Sequence, residues 1–245
     1  MNNNKDNLSY LLFAYGFIFA FFFIMPVFLS DYAQKPLTWG DLLDFFTSFA
    51  FIPVAYLLYH RLKNLEPEKE QPGKHKKNGA GALLFIGFIL FIDGHGIHLS
   101  ANSLARYVQN VPGSEIYRAI YLFDEIISHF LWDGGVFLIS LAFIVSAVKT
   151  KQSSITNSQS CLLLLGAVLY GFTFTVNGIE GQTVLFTFPA AVLGFSLSFV
   201  LNMREKGKNQ VLLFFLLGYF LSLILFSYWG ISHGKFPQFS EIGWV

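Results

Sequence analysis

The chain reads as all-α: a polytopic membrane bundle of seven transmembrane helices, with residues 1–245 forming one transmembrane domain. Three observations lead there. Of 245 residues, 54% are hydrophobic and only 13% charged, about half the charged share of a soluble domain. Seven stretches carry the roughly 20 mostly apolar residues that a helix needs to cross a bilayer. The basic residues gather in the connections on one side of that scheme, as the positive-inside bias requires.

The first span, 9–30, runs well past the about 7–15 apolar residues of a signal-peptide core, and only Lys5 precedes it, so it reads as a retained helix. The second, 40–61, contains Pro53, and the third, 81–105, follows the longest polar linker, Lys63 to Asn78. The fourth, 117–148, is long enough to begin above the hydrocarbon. The fifth, 160–177, is short, and Asn177-Gly178-Ile179-Glu180-Gly181 turns tightly into the sixth, 182–203, which contains Pro189. The seventh is 210–232. Proline within a span is tolerated where neighbours satisfy the freed backbone groups. The run Phe19 to Phe23 reads as lipid-facing or core packing.

With a cytoplasmic N-terminus, twelve bases fall inside: Lys5, Arg61, Lys63, Lys69, Lys74, Lys76, Lys77, Lys149, Lys151, Arg204, Lys206 and Lys208. Only Lys35, Arg106, Arg118 and Lys235 fall outside. Seven spans then put the C-terminus outside, and the chain reads as a multi-pass protein of the cell or inner membrane. One cysteine, Cys161, excludes an internal disulfide and reads as a small buried residue. No phosphate-binding glycine loop, zinc-finger spacing or nucleic-acid motif occurs, so the partners expected are membrane lipids, not nucleic acid.

Two polar runs interrupt the apolar spans. Asp93-Gly-His-Gly-Ile-His-Leu-Ser-Ala-Asn102 lies in the third, and Asp124-Glu-Ile-Ile-Ser-His-Phe-Leu-Trp-Asp133 in the fourth. Ionisable groups at membrane depth are costly and mark a functional site by default. His95, His98 and Asn102 follow i, i+3 and i+7, one narrow helical stripe. Glu125, His129 and Asp133 follow i, i+4 and i+8, a second stripe with Ser128 on its flank. At about 1.5 Å per residue, His95 and His129 reach similar depth in the outer half. Asn177, Glu180 and His233 cluster at outer ends of their spans, and Asp31, Asp41 and Asp44 at the mouths of the first two. His60 and His75 belong to the inner, basic side. Asp93 lies nearly opposite His95 and is expected to face another neighbour. Gly94, Gly96, Gly134 and Gly135 thin their helices for close approach.

Three histidines with one or two carboxylates suit zinc, or iron where the site is redox active. The candidate metal ligands are His95, His98, His129 and His233. Glu125 or Asp124 serves as ligand or general base, and Ser128, Asn102 or Asn177 orients a carbonyl or stabilises an oxyanion. Because zinc brings the pKa of its bound water to about 7, the chemistry expected first is metal-dependent hydrolysis of a lipid or lipid-linked substrate. Two other classes stay open. His95 or His98 opposite His129 suits a haem or quinone. A non-enzymatic receptor, transporter or assembly factor would use the same cavity, its acidic mouth drawing cations. Glu241 and Trp244 either cap that mouth or anchor the tail at the interface.

Asp93-Gly94-His95-Gly96-Ile97 fits the Asp-x-x-Gly-Ile element of the alkaline ceramidase and adiponectin/progestin receptor group. Seven helices, an inner N-terminus and His, Asp and Ser at membrane depth also resemble that group. The resemblance implies zinc held by three histidines and cleavage of lipid amide bonds. The group's Ser-x-x-x-His before that element has no counterpart here, and of its His-x-x-x-His in the last helix only His233 is present.

The orientation has a direct check. A cysteine placed at Lys35 should react with a membrane-impermeant maleimide on intact cells, and one at Lys206 only after permeabilisation, both in a Cys161→Ser background. The reverse pattern would invert the topology.

Overall fold

The computed structural model describes residues 8–67, 79–148, 150 and 156–244. Of the bases and histidines assigned to the inner side, Lys5, Lys69, Lys74, His75, Lys76, Lys77, Lys149 and Lys151 lie outside the described residues. Among the described residues, seven helical stretches are long and apolar enough to cross a membrane, and the chain is a multi-pass membrane protein on that account.

The first span is α1 (Leu8–Ile24) followed by a 3-10 turn, Met25–Phe28, at Pro26, whose ring nitrogen has no hydrogen to donate to the helical ladder. A small antiparallel hairpin, β1 (Tyr32–Gln34) and β2 (Leu37–Thr38), leads into the second span. That span is two pieces rather than one, α2 (Trp39–Asp44) and α3 (Thr47–Asn64). Thr38 Oγ1 accepts the Asp41 backbone N–H at 3.1 Å and Asp41 accepts that of Thr38 at 2.8 Å, the reciprocal cap that starts α2. The third span is α4 (Gly79–Val108).

The fourth departs most from a regular helix. It comprises α5 (Glu115–Tyr121), a π-helical turn over Leu122–Ser128, and α6 (His129–Ala147). The fifth is α7 (Asn157–Glu180), capped by Thr156 and Gln159; the sixth is α8 (Val184–Arg204). The seventh, α9 (Gln210–His233), opens on the Asn209 side chain, which accepts the Leu212 N–H at 3.2 Å. It stops at Gly234, whose φ of 66° is left-handed and suits glycine.

Spans four and five are the most enclosed. Span three lies along span four, span one along span five, and span seven against spans five and six. Without a hydrophobic drive between helices in lipid, such contacts depend on small residues that let backbones meet. A side-chain carbon added at Gly94 would overlap Trp132, and one at Gly135 would overlap Phe91. Gly16 stands in the same way on Gly166, and Gly171 on Gly218. Gly96 and Gly134 do not share this role: an added carbon meets nothing within 4 Å at Gly96 and only Leu90, at 3.8 Å, at Gly134.

The core is largely aromatic. Tyr15, Phe51, Phe91, Phe143, Tyr170, Phe174, Phe214, Phe215 and Tyr219 are fully buried, and Phe51 stacks on Phe91 at 4.6 Å. Two of these tyrosine hydroxyls find polar company: Tyr170 donates to Tyr219 at 3.0 Å and lies 2.7 Å from Ser140 Oγ. Phe19 is core, whereas Phe22 and Phe23, one turn further along, line a cavity. Cys161 is exposed rather than buried, because it shares the outward face of α7 with Leu164, Leu165 and Val168.

The glycine contacts give a paired test. Gly94→Leu should destabilise the purified protein by about 1–3 kcal/mol, the cost of overpacking, read as a lower melting temperature in detergent. Gly96→Leu should leave the melt unchanged. Equal melts would remove the close approach of spans three and four.

Candidate functional site

The end of the bundle where α4 finishes and α7 turns into α8 holds a cavity of about 420 Å³, bounded by residues of the first five spans. Phe22, Phe23, Pro26, Val27 and Trp132 give it an apolar side. Asp41, Asp44, His98, Asn102, Arg106, Glu125, His129 and Glu180 give it a polar one.

The π turn sets the fourth-span groups. Asp124 is buried, with Oδ1 2.8 Å from His98 Nδ1 on span three. Glu125, the next residue, lines the cavity instead. Ser128 is fully buried and donates its hydroxyl to the Asp124 backbone carbonyl, so it is engaged within its own helix and not poised toward a substrate. His129 opens α6 with its ring centroid 4.8 Å from that of His98. Trp132 stacks on His129 at 6.1 Å and lies 5.7 Å from His98, walling both rings. Gly181 in the turn between spans five and six packs on the His129 ring, where any side chain would collide.

Each predicted stripe divides. On span three, His98 and Asn102 reach the cavity, but His95 turns to span two. Its Nε2 lies 3.1 Å from Asp44 Oδ1 and its Nδ1 3.3 Å from Ser48 Oγ. Asp44 also accepts the Thr47 hydroxyl at 2.6 Å. On span four, Asp133 sits a turn deeper, 1% exposed, accepting Asn177 Nδ2 and the Thr183 hydroxyl. It ties span four to span five and to the start of span six. Asn177 is thereby a core group and not an oxyanion donor at the cavity.

His233 stands apart. Its ring lies 4.3 Å from Trp229, with Nδ1 3.1 Å from the Trp229 carbonyl, and it does not line the cavity. The C-terminal segment reaches the site through Gln238, which had no signal in the sequence. Its amide donates to Glu125 Oε2 at 3.3 Å and to the Glu180 carbonyl, while Phe239 N–H donates to Glu180 Oε2 at 2.8 Å. Pro237 accepts the Trp229 indole at 3.0 Å and anchors this strap. Trp244 packs on Trp229 and Phe239, and Glu241 is exposed. Arg106, which the sequence showed only as an outer base, forms a two-pronged pair with Asp41 and donates to the Pro36 carbonyl at 2.8 Å. It fastens the hairpin to the end of span three. Asp31 is exposed and outside the cavity lining.

The four histidines therefore do not converge. His95 is held by Asp44 and Ser48, and His233 by Trp229, leaving His98 and His129 together. Among the described residues, no group of three or more His, Cys, Asp and Glu is arranged to hold a metal ion. As placed, the donors do not fit a zinc with three protein ligands.

Removing the Asp133 carboxylate strands two buried donors, each worth about 1–3 kcal/mol when unmet. Asp133→Ala should thus lower the melting temperature clearly, and Thr183→Val, which removes one donor, by less. A neutral Asp133→Ala would contradict the assigned clamp.

Compared with protein-family models, with curated proteins and with solved structures, the chain matches none.

Proposed function

We propose that this protein is a membrane hydrolase acting on a lipid or lipid-linked molecule, with the cavity on the non-cytoplasmic side and His98 as its acid–base group. The observation that carries the reading is the His98–Asp124 pair, 2.8 Å apart, at the wall of a cavity that is apolar on one side and polar on the other. An amphiphile fits such a space: acyl carbons against Phe22, Phe23 and Val27, polar head toward Asn102 and Glu125.

The chemistry follows from the pair. The Asp124 carboxylate beside Nδ1 is a charge contact rather than an aligned hydrogen bond, and it stabilises the imidazolium that forms when Nε2 takes a proton. A water attacks the carbonyl carbon of an ester or amide, Nε2 takes the water's proton, and the imidazolium returns it to the leaving oxygen or nitrogen as the bond to carbon breaks. Asn102 supplies an amide donor for the oxyanion. Trp132 and the strap at Gln238 shield the site from bulk water. Hydrolysis here needs no group beyond the chain's own residues and water.

The test is product formation by the purified protein in nanodiscs carrying ester- and amide-linked lipids, read by mass spectrometry. His98→Ala should lower turnover about 10²- to 10⁴-fold, the usual contribution of a positioned acid–base group, and a melt reads separately the stability lost by stranding the buried Asp124 carboxylate. Turnover unaffected by His98→Ala, or none by the wild type, would sink the reading. Metal content is a separate measurement: about one zinc or iron per chain, lost in His129→Ala, would mean that the donors converge on loading and would replace this mechanism.

One observation favours a second reading, a receptor or transporter for a cationic head group. Asp41, Asp44, Glu125 and Glu180 line the cavity against a single guanidinium, Arg106, already paired with Asp41. In that case a choline or amine amphiphile binds without being cleaved, and Glu125→Gln weakens its binding while His98→Ala does not.

A further inference from the structure

Asp93 belongs to the polar run of span three but takes no part in the cavity. It is exposed, near the midpoint of the thirty-residue helix α4. No hydrogen bond or ion pair reaches it among the described residues, and none of them supplies the neighbour expected opposite His95. Around it Ile92 and Leu104 are 48% and 51% exposed, and Phe123 of span four 49%. An unpaired carboxylate facing hydrocarbon halfway across a bilayer is too costly to persist uncovered.

The surface around Asp93 has room for a visitor. Asp93, Gly96, Ile97 and Ser100 on span three, with Ile120 and Phe123 on span four, enclose a groove of about 550 Å³ that opens outward. Gly96 has nothing within 4 Å of where a side chain would stand. The Ser100 hydroxyl folds back on the Gly96 carbonyl at 2.8 Å and leaves a smooth surface. Gly96 and Ser100 are one turn apart, the spacing at which small residues let a second helix approach closely.

Charge decides what that helix carries. Among the described residues, the lysines and arginines of this chain lie at or near span ends, as Arg61, Lys63, Arg106, Arg118 and Arg204 do. A second copy would therefore bring another carboxylate to Asp93 and no cation at that depth. We propose that this face of span three docks the transmembrane helix of a different protein, one with a lysine or arginine at mid-bilayer depth that pairs with Asp93. The inference is independent of the function assigned to the cavity.

The test uses the full chain labelled at its single exposed cysteine, Cys161, in phosphatidylcholine vesicles. The probe is a synthetic Leu/Ala transmembrane peptide with one central lysine and an acceptor dye, compared with the same peptide carrying leucine there. Energy transfer should report binding of the lysine peptide about tenfold tighter than the leucine peptide, the scale of one polar contact in a membrane. Asp93→Asn should abolish the preference, and Gly96→Leu should weaken binding of the lysine peptide, with melts unchanged in both. Equal binding of the two peptides, or a preference that survives Asp93→Asn, overturns the proposal. Transfer between copies of the chain that Asp93→Leu removes, with no binding of the lysine peptide, also overturns it and assigns the face to self-association.

Discussion

Bringing charge and hydrogen-bonding groups below the surface of a bilayer is affordable only in company, and the arrangement at one end of this bundle follows from that constraint. His98 has Asp124, His95 has Asp44 and Ser48, Arg106 has Asp41, and Asp133 has Asn177 and Thr183. Each pair joins two different segments, so satisfying the polar groups also fixes how the spans meet. The cavity is what remains between these pairs: its wall includes His98, Arg106 and Asp41, each held by a partner, beside His129 and Trp132, which are held by ring packing.

The π turn at Leu122–Ser128 is central to that outcome. In a regular helix, adjacent carboxylates point about 100° apart and keep that relation to the residues a turn below. Glu125 and His129, four residues apart, share one side of the helix, and the extra residue of the π turn, a feature found often at functional sites, shifts the phase between the groups before and after it. Asp124 then meets span three while Glu125 and His129 both reach the cavity.

Hydropathy made the seven spans legible because length and apolarity are set residue by residue: the third span, read as 81–105, is Gly79–Val108. The importance of the His and acid runs was also legible, since charge in an apolar segment needs no context to stand out. Which groups meet was not. Helical spacing placed His95 with His98, yet three residues of rotation are enough to hand one to Asp44 and the other to the cavity. The π turn left no mark in composition, and Gln238 reaches Glu125 across 113 positions of sequence. Glycine showed the same limit: Gly94 and Gly96 look alike in the chain, but only the first faces another backbone.

Gly16 on Gly166 and Gly171 on Gly218 bring spans one, five and seven together along the half of the bundle remote from the cavity. Backbones in direct contact interlock and resist sliding past each other. The register of spans one, five and seven is therefore set by backbone contact, whereas the strap meets the cavity rim through the Gln238 and Phe239 hydrogen bonds to Glu125 and Glu180, and the hairpin through Arg106 and the seat of Gly40 on the Pro26 carbonyl.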